Sequence, residues 1–239
     1  MKFLKMSSAV LLFAAALATP RASACTNATM TGVWGYEVGS AVGQFKLDGA
    51  GNLTGSQTVS QNGTIVTQTY TGTYSVKTNC TGSITLHFTN GKTAHVNFVL
   101  DEANRGVQII ETDTGTLAEG PGLAEGTVTC GLTGVKHTFA ALLLGKITTK
   151  GPIAYVAQVI LDGTGKVSGA GTFNVNGTIV PAASFTGTYT ENAACTGTMR
   201  ITPTGLSTLN FDLVVVNSGK EILLVETDTG TVVAGNMQQ

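Results

Sequence analysis

The sequence predicts an all-β protein of two tandem homologous antiparallel domains, each an up-and-down barrel of about eight strands. Three observations predict it. Short runs rich in Val, Ile, Thr, Tyr and Phe alternate with Gly, Asn and Asp along most of the 239 residues, and helical patterns are nearly absent after residue 24. Blocks of sequence recur in one order at nearly one spacing. Four cysteines obey the same repetition. Closure into a barrel removes the exposed edges that an open sheet must protect. A β-sandwich is the alternative, because strand number alone does not separate the two.

The repetition sets the domain count. TGTYS (Thr71–Ser75) recurs as TGTYT (Thr186–Thr190), CTGS (Cys80–Ser83) as CTGT (Cys195–Thr198), and ETDTGT at Glu111–Thr116 again at Glu226–Thr231, all displaced by 115 residues. Upstream, LDGAGNLTG (Leu47–Gly55) matches LDGTGKVSG (Leu161–Gly169), and NGTIV (Asn62–Val66) matches NGTIV (Asn176–Val180), both displaced by 114 residues. The period far exceeds a solenoid unit and equals a small domain. The division is therefore 1–24, 25–122 and 123–239, with the second boundary in the Pro- and Gly-rich EGPGLAEG.

Residues 1–24 read as a signal segment. Lys2 and Lys5 precede the apolar run Ala9–Ala18, and Ala22-Ser23-Ala24 forms an A-x-A cleavage site. The apolar run is too short to span a bilayer. The expected protein is exported, secreted or periplasmic; the alternative is a lipid anchor on Cys25. Three of the 13 basic residues lie in that segment, leaving ten against 14 acidic residues, a mildly acidic surface without a basic patch. Nucleic-acid binding, which needs clustered Lys and Arg, is not expected.

In the first repeat, strands are expected at Val33–Val38, Gly43–Leu47, Leu53–Val59, Tyr70–Val76, Ser83–Phe88, His95–Leu100, Val107–Thr112 and Thr116–Ala118. DGAGN and TNGK supply the turn residues, since Asn and Gly tolerate positive φ. The second repeat opens on TFAALLLGKI (Thr138–Ile147), which does not alternate. It is expected to be covered on both faces, packed between the domains, or to form a short helix. Repetition pairs Cys25 with Cys80 and Cys130 with Cys195, one bridge per domain in an oxidising compartment. Each closes a loop worth about 4 kcal/mol on the chain-entropy model.

The chemistry-bearing candidates are few. Asp-Thr-Gly within ETDTGT is the aspartic-protease triplet, and it occurs twice. However, Glu-Thr precedes each copy where those enzymes carry apolar residues, and only nine residues follow Gly230. The expected role is a strand ending in an Asp-capped turn. His87 and His95 flank the Asn90-Gly91 turn. A two-residue turn would place His87 opposite Ala94 and His95 opposite Leu86, on diverging faces, so no metal site is expected. No G-x-S-x-G or phosphate loop is present. Glu111 and Glu226 lie on equivalent strands; facing inward, either could serve as a general acid.

Gly32-Val33-Trp34 resembles the G-x-W motif that opens lipocalin barrels, and Thr112-Asp113 is similar to part of that family's second motif. The resemblance implies a barrel closed at one end by a tryptophan. The wider pattern G-T-Y, C-T-G and T-D-x-G-T, present in both repeats, resembles a group of uncharacterised exported bacterial proteins with duplicated β-rich repeats. The expected function is a non-enzymatic module binding a small apolar molecule or a surface partner, without cofactor or catalytic residue. The alternatives are a barrel enzyme of the allene-oxide-cyclase or dirigent type, with Glu111 or Glu226 inside, and a purely structural secreted protein.

Overall fold

A computed structural model describes residues 24–239 other than 102 and 104. The segment read as a signal lies outside the described residues except for Ala24. The strands close into two separate eight-stranded antiparallel barrels, each with every strand beside its sequence neighbour. Barrel 1 contains β1 (Gly32–Val38), β2 (Ala41–Leu47), β3 (Asn52–Gln61), β4 (Thr64–Val76), β5 (Thr81–Phe88), β6 (Thr93–Leu100), β7 (Gly106–Glu111) and β8 (Glu119–Ala124). Barrel 2 contains β9 (Thr138–Ile147), β10 (Gly151–Leu161), β11 (Lys166–Val175), β12 (Thr178–Glu191), β13 (Thr196–Pro203), β14 (Leu209–Val216), β15 (Glu221–Glu226) and β16 (Thr231–Gln238). Trp34 opposite Ala124 and Leu143 opposite Gly235 lie in the two closing seams.

Period-2 alternation builds each core. In barrel 1 the inward set includes Trp34, Tyr36, Phe45, Tyr70, Ile84, Phe98 and Ile109; in barrel 2 it includes Phe139, Tyr155, Phe173, Phe185, Phe211, Ile222 and Leu224. Outward residues on β3–β5 and β11–β13 are mostly Thr, Ser and Asn, which suit an exposed pleated surface.

One end of each barrel is plugged and stapled. Short 3-10 turns at Asn27–Met30 and Leu132–Val135 place Met30 and Val135 in the two cores. Disulfides Cys25–Cys80 and Cys130–Cys195 tie these plugs to the β4–β5 and β12–β13 turns. Tyrosines complete the closure. Tyr74 Oη accepts from Gly49 N (2.9 Å) and donates to Asn27 O (3.1 Å), while Tyr189 Oη accepts from Gly163 N (3.0 Å) and donates to Leu132 O (3.1 Å). The Cys25 sulfur is bonded to Cys80.

The change of spacing from 114 to 115 residues has a local cause. The β11–β12 register shifts between Gly171 and Phe173, and Ala182 takes φ 49°, marking an extra residue bulged out of β12.

Three expectations are corrected. Thr116–Ala118 lie outside the strands, and the last strand of barrel 1 is Glu119–Ala124, within the segment read as a Pro/Gly linker. Its glycines are a requirement of closure. A Cβ on Gly120 would fall 1.9 Å from Glu37 O, and one on Gly122 would fall 2.9 Å from Val107 Cγ2. Second, Thr138–Ile147 is a strand and does not pack between the barrels. Phe139, Ala141 and Leu143 face the core, while Ala140, Leu142 and Leu144 are exposed on the outside. Third, His87 pairs with Thr93 and His95 with Thr85, one residue off the expected register, so both imidazoles lie on the outer face.

The barrels pack through an apolar patch. Outward Val42 of barrel 1 meets Val214, Val216, Leu223 and Val225 of β14–β15, with Leu123 against the same cluster. Gly35 permits the approach, since a Cβ there would lie 2.4 Å from Val216 Cγ1. Thr58 Oγ1 donates to Asp212 Oδ2 (2.7 Å), Ser60 Oγ donates to Thr231 O, and Gly230 N donates to Gly63 O (2.8 Å).

Candidate functional site

The unstapled end of barrel 1 opens into a cavity of about 650 Å³. Its depth is apolar: Phe45, Ile84, Leu86, Phe88, Val96 and Ile109 line it. Tyr36 and Gln57 provide the polar wall, joined by a hydrogen bond from Tyr36 Oη to Gln57 Oε1 (2.7 Å). Tyr70 Oη donates to Tyr36 Oη (3.0 Å), with Gln44 O 2.9 Å away as a second acceptor. Burial holds the Tyr36 and Tyr70 hydroxyls well above the usual phenol range, so both are neutral donors. The rim carries Glu111, Asp113, Lys92 and the highly exposed Leu117. Barrel 2 contributes Lys146 and Val232 to this rim, so the opening is shaped by both halves of the chain.

Repeat alignment explains why the space lies in barrel 1. The Ala41–Val59 pair of barrel 1 is replaced by Tyr155–Phe173 in barrel 2. The Leu86–Ala94 and Ile84–Val96 pairs become Ile201–Leu209 and Met199–Phe211. The larger side chains of barrel 2 fill what the smaller ones of barrel 1 leave open, and Phe173 and Phe211 are buried in the core. This signal was present in the sequence as small-for-large exchanges at equivalent inward positions, but it requires the register to read.

Both candidate glutamates face inward. Glu111 follows Val107 and Ile109 along β7 and stands half-buried in the cavity wall; desolvation and then Asp113 raise its pKa. Glu226 follows Ile222 and Leu224 along β15 and is 1% exposed, with Oε2 lacking a hydrogen-bond partner. Burial, then the Asp228 charge, pushes it up to about 8, and burial likewise raises the neighbouring Tyr155 phenol. It is a protonated carboxyl at neutral pH.

The two ETDTGT copies are matching turn clamps. Asp113 Oδ2 accepts from His95 N and Oδ1 from His95 Nδ1, both at 2.7 Å. Asp228 does the same with Asn210, accepting from N at 2.8 Å and Nδ2 at 2.7 Å. Thr116 and Thr231 donate their hydroxyls back to Asp113 O (2.7 Å) and Asp228 O (2.6 Å). An imidazole thus replaces an amide at one geometry, which fixes the proton on His95 Nδ1. Hydrogen bonds to His95 hold the Asp113 carboxyl below the usual range. Each aspartate is engaged within its own barrel, as a capped turn requires.

Among the described residues, the grouping tight enough for a metal is Glu125, Cys130 and Cys195, and both sulfurs are in a disulfide. Two closed barrels, two disulfides and an apolar-lined opening in barrel 1 define an internally duplicated β-barrel protein. No family model and no curated protein matches the sequence. Among the described residues, no helix is long and apolar enough to cross a membrane.

Proposed function

We propose that this chain is an exported carrier that holds one small apolar molecule in the mouth of barrel 1. The observation that carries the reading is the cavity of about 650 Å³, apolar in its depth and polar at Tyr36–Gln57, within the usual size range of small-molecule sites. Export is supported by the two disulfides, which persist in oxidising compartments. The lipocalin-like arrangement belongs to the same proposal: Trp34 is buried in a core stapled at one end, while the opposite end is open.

The experiment is a fluorescence titration with 1-anilinonaphthalene-8-sulfonate as the apolar probe. The wild type takes up one probe per chain. Leu86→Trp places an indole over Ala94, its cross-strand partner, and fills the cavity. This variant loses probe binding while retaining its barrel circular dichroism. Equal binding by wild type and variant refutes the site.

A second reading is favoured by Glu111. A half-buried carboxyl with raised pKa in an apolar cavity is able to deliver a proton to a bound molecule. In that case native mass spectrometry recovers a product from the wild type and its precursor from Glu111→Gln. The same molecule recovered from both supports the carrier.

A further inference from the structure

The contact between the two barrels is heterologous: the outer face of β1–β2 on barrel 1 meets the outer face of β14–β15 on barrel 2. Because the chain is duplicated, each of these faces exists a second time. The counterpart of β1–β2 is the outer face of β9–β10, and the counterpart of β14–β15 is the outer face of β6–β7. Neither is covered by the described residues of the same chain.

The exposed large apolar residues fall mainly on these two faces. On β9–β10, Leu142 is 48%, Leu144 56%, Val156 58% and Ile160 41% exposed. Leu142 is the direct cross-strand partner of Val156, so they form one patch. On β6–β7, Val99 is 52% and Ile110 49% exposed. Those two occupy the positions that Val214 and Val225 hold in the covered face: Val99 pairs with Gln108 as Val214 pairs with Leu223, and Ile110 pairs with Asn97 as Val225 pairs with Asp212. A groove on the outside of β5–β7, lined by Ser83, Asn97, Val99, Gln108 and Ile110, runs along this face.

We propose that the β9–β10 face of one molecule receives the β6–β7 face of a second copy of the same chain, repeating between molecules the contact already made within each. The occupant follows from continuity with the existing interface. Val156 takes the place of Val42, and Leu142 the place of Glu37. Ala140 takes the place of Gly35. Its methyl meets no Val216, because the counterpart residue is Asp101, whose Oδ1 is turned back to accept from Arg105 N (2.9 Å). Gln108 replaces Leu223, which makes the contact more polar than the internal one and the association reversible. A head-to-tail contact of this kind leaves a free face at each end, so it adds molecule after molecule, into an open chain or, where the rotation closes, a ring. The inference is independent of the ligand proposal.

The test is sedimentation velocity on the exported protein over a hundredfold concentration range. Wild type shows a weight-average mass rising with concentration. Val156→Glu and Ile110→Glu, both at exposed positions, each sediment as monomers with unchanged melting temperature. Mixed in equal amounts, the two variants form dimers and nothing larger, because each retains one of the two faces. Wild type that stays monomeric overturns the proposal, including the case where Val156→Glu abolishes flotation with phosphatidylglycerol vesicles and a lipid surface is the occupant. Ile110→Glu that still dimerises overturns it too, in favour of β9–β10 pairing with itself.

Discussion

Glu226 gives the sharpest test of the interior of barrel 2. Replacing it with Gln keeps the shape of a neutral carboxyl and removes its ionisation. In the folded chain its pKa is raised from 4.5 to about 8, by burial first and the Asp228 charge second. Between these two values the folded chain keeps a proton that the unfolded chain has lost. Stability therefore falls as pH rises through this window and levels off above it. At about 1.4 kcal/mol for each pH unit, the loss attributable to Glu226 approaches about 5 kcal/mol as an upper figure. The assay is urea unfolding of wild type and Glu226→Gln at one-unit steps from pH 5 to pH 9. Subtracting the two curves removes every other titrating group that acts independently. The gap should be small at pH 5 and grow by several kcal/mol by pH 8, with Gln the more stable. A constant gap would show that the carboxyl ionises equally well in both states, and that the reading of its burial is wrong.

The remaining predictions concern the turns, the staples and the interface. His95→Asn installs the residue that repeat two uses and should leave the melting temperature unchanged, while His95→Ala should lower it; nitrogen NMR should find the imidazole proton on Nδ1. Replacing Cys25 and Cys80 together by Ala should cost roughly 4 kcal/mol in denaturant unfolding, since the bridge closes a loop of 55 residues. Gly35→Ala drives a methyl to 2.4 Å from Val216 Cγ1 and should destabilise the barrel contact by about 1–3 kcal/mol, read as a lower melting temperature. Glu37 is pushed up to about 7 by burial and then by Glu119 and Glu221, so Glu37→Gln should gain stability relative to wild type as pH rises from 5 to 7.

Much of the fold was legible because duplication checks itself. TGTY marks the same strand twice, CTG and ETDTGT mark the same turns twice, and the same pairing of cysteines satisfies both copies. The closing strand was not legible, because Gly120, Pro121 and Gly122 read as a linker by composition. The two glycines instead answer crowding, Gly120 against Glu37 of β1 and Gly122 against Val107 of β7. The outer side of β9 misled for a related reason. A strand with two apolar sides announces that both await a partner, and composition does not say whether that partner lies in the same chain. Glu111 and Glu226 were identified as candidates from their equivalence, but their inward facing depends on register, where a slip of one residue reverses every side chain. The His87–His95 pair shows that slip at work.

The claim that barrel 1 is the hollow half is tested most directly by methyl NMR of the whole chain titrated with 1-anilinonaphthalene-8-sulfonate. Ile84, Leu86 and Ile109 in barrel 1 should shift, while their counterparts Met199, Ile201 and Leu224 in barrel 2 stay in place. Shifts confined to the barrel 2 methyls, or no shift in either set at saturating probe, would contradict it.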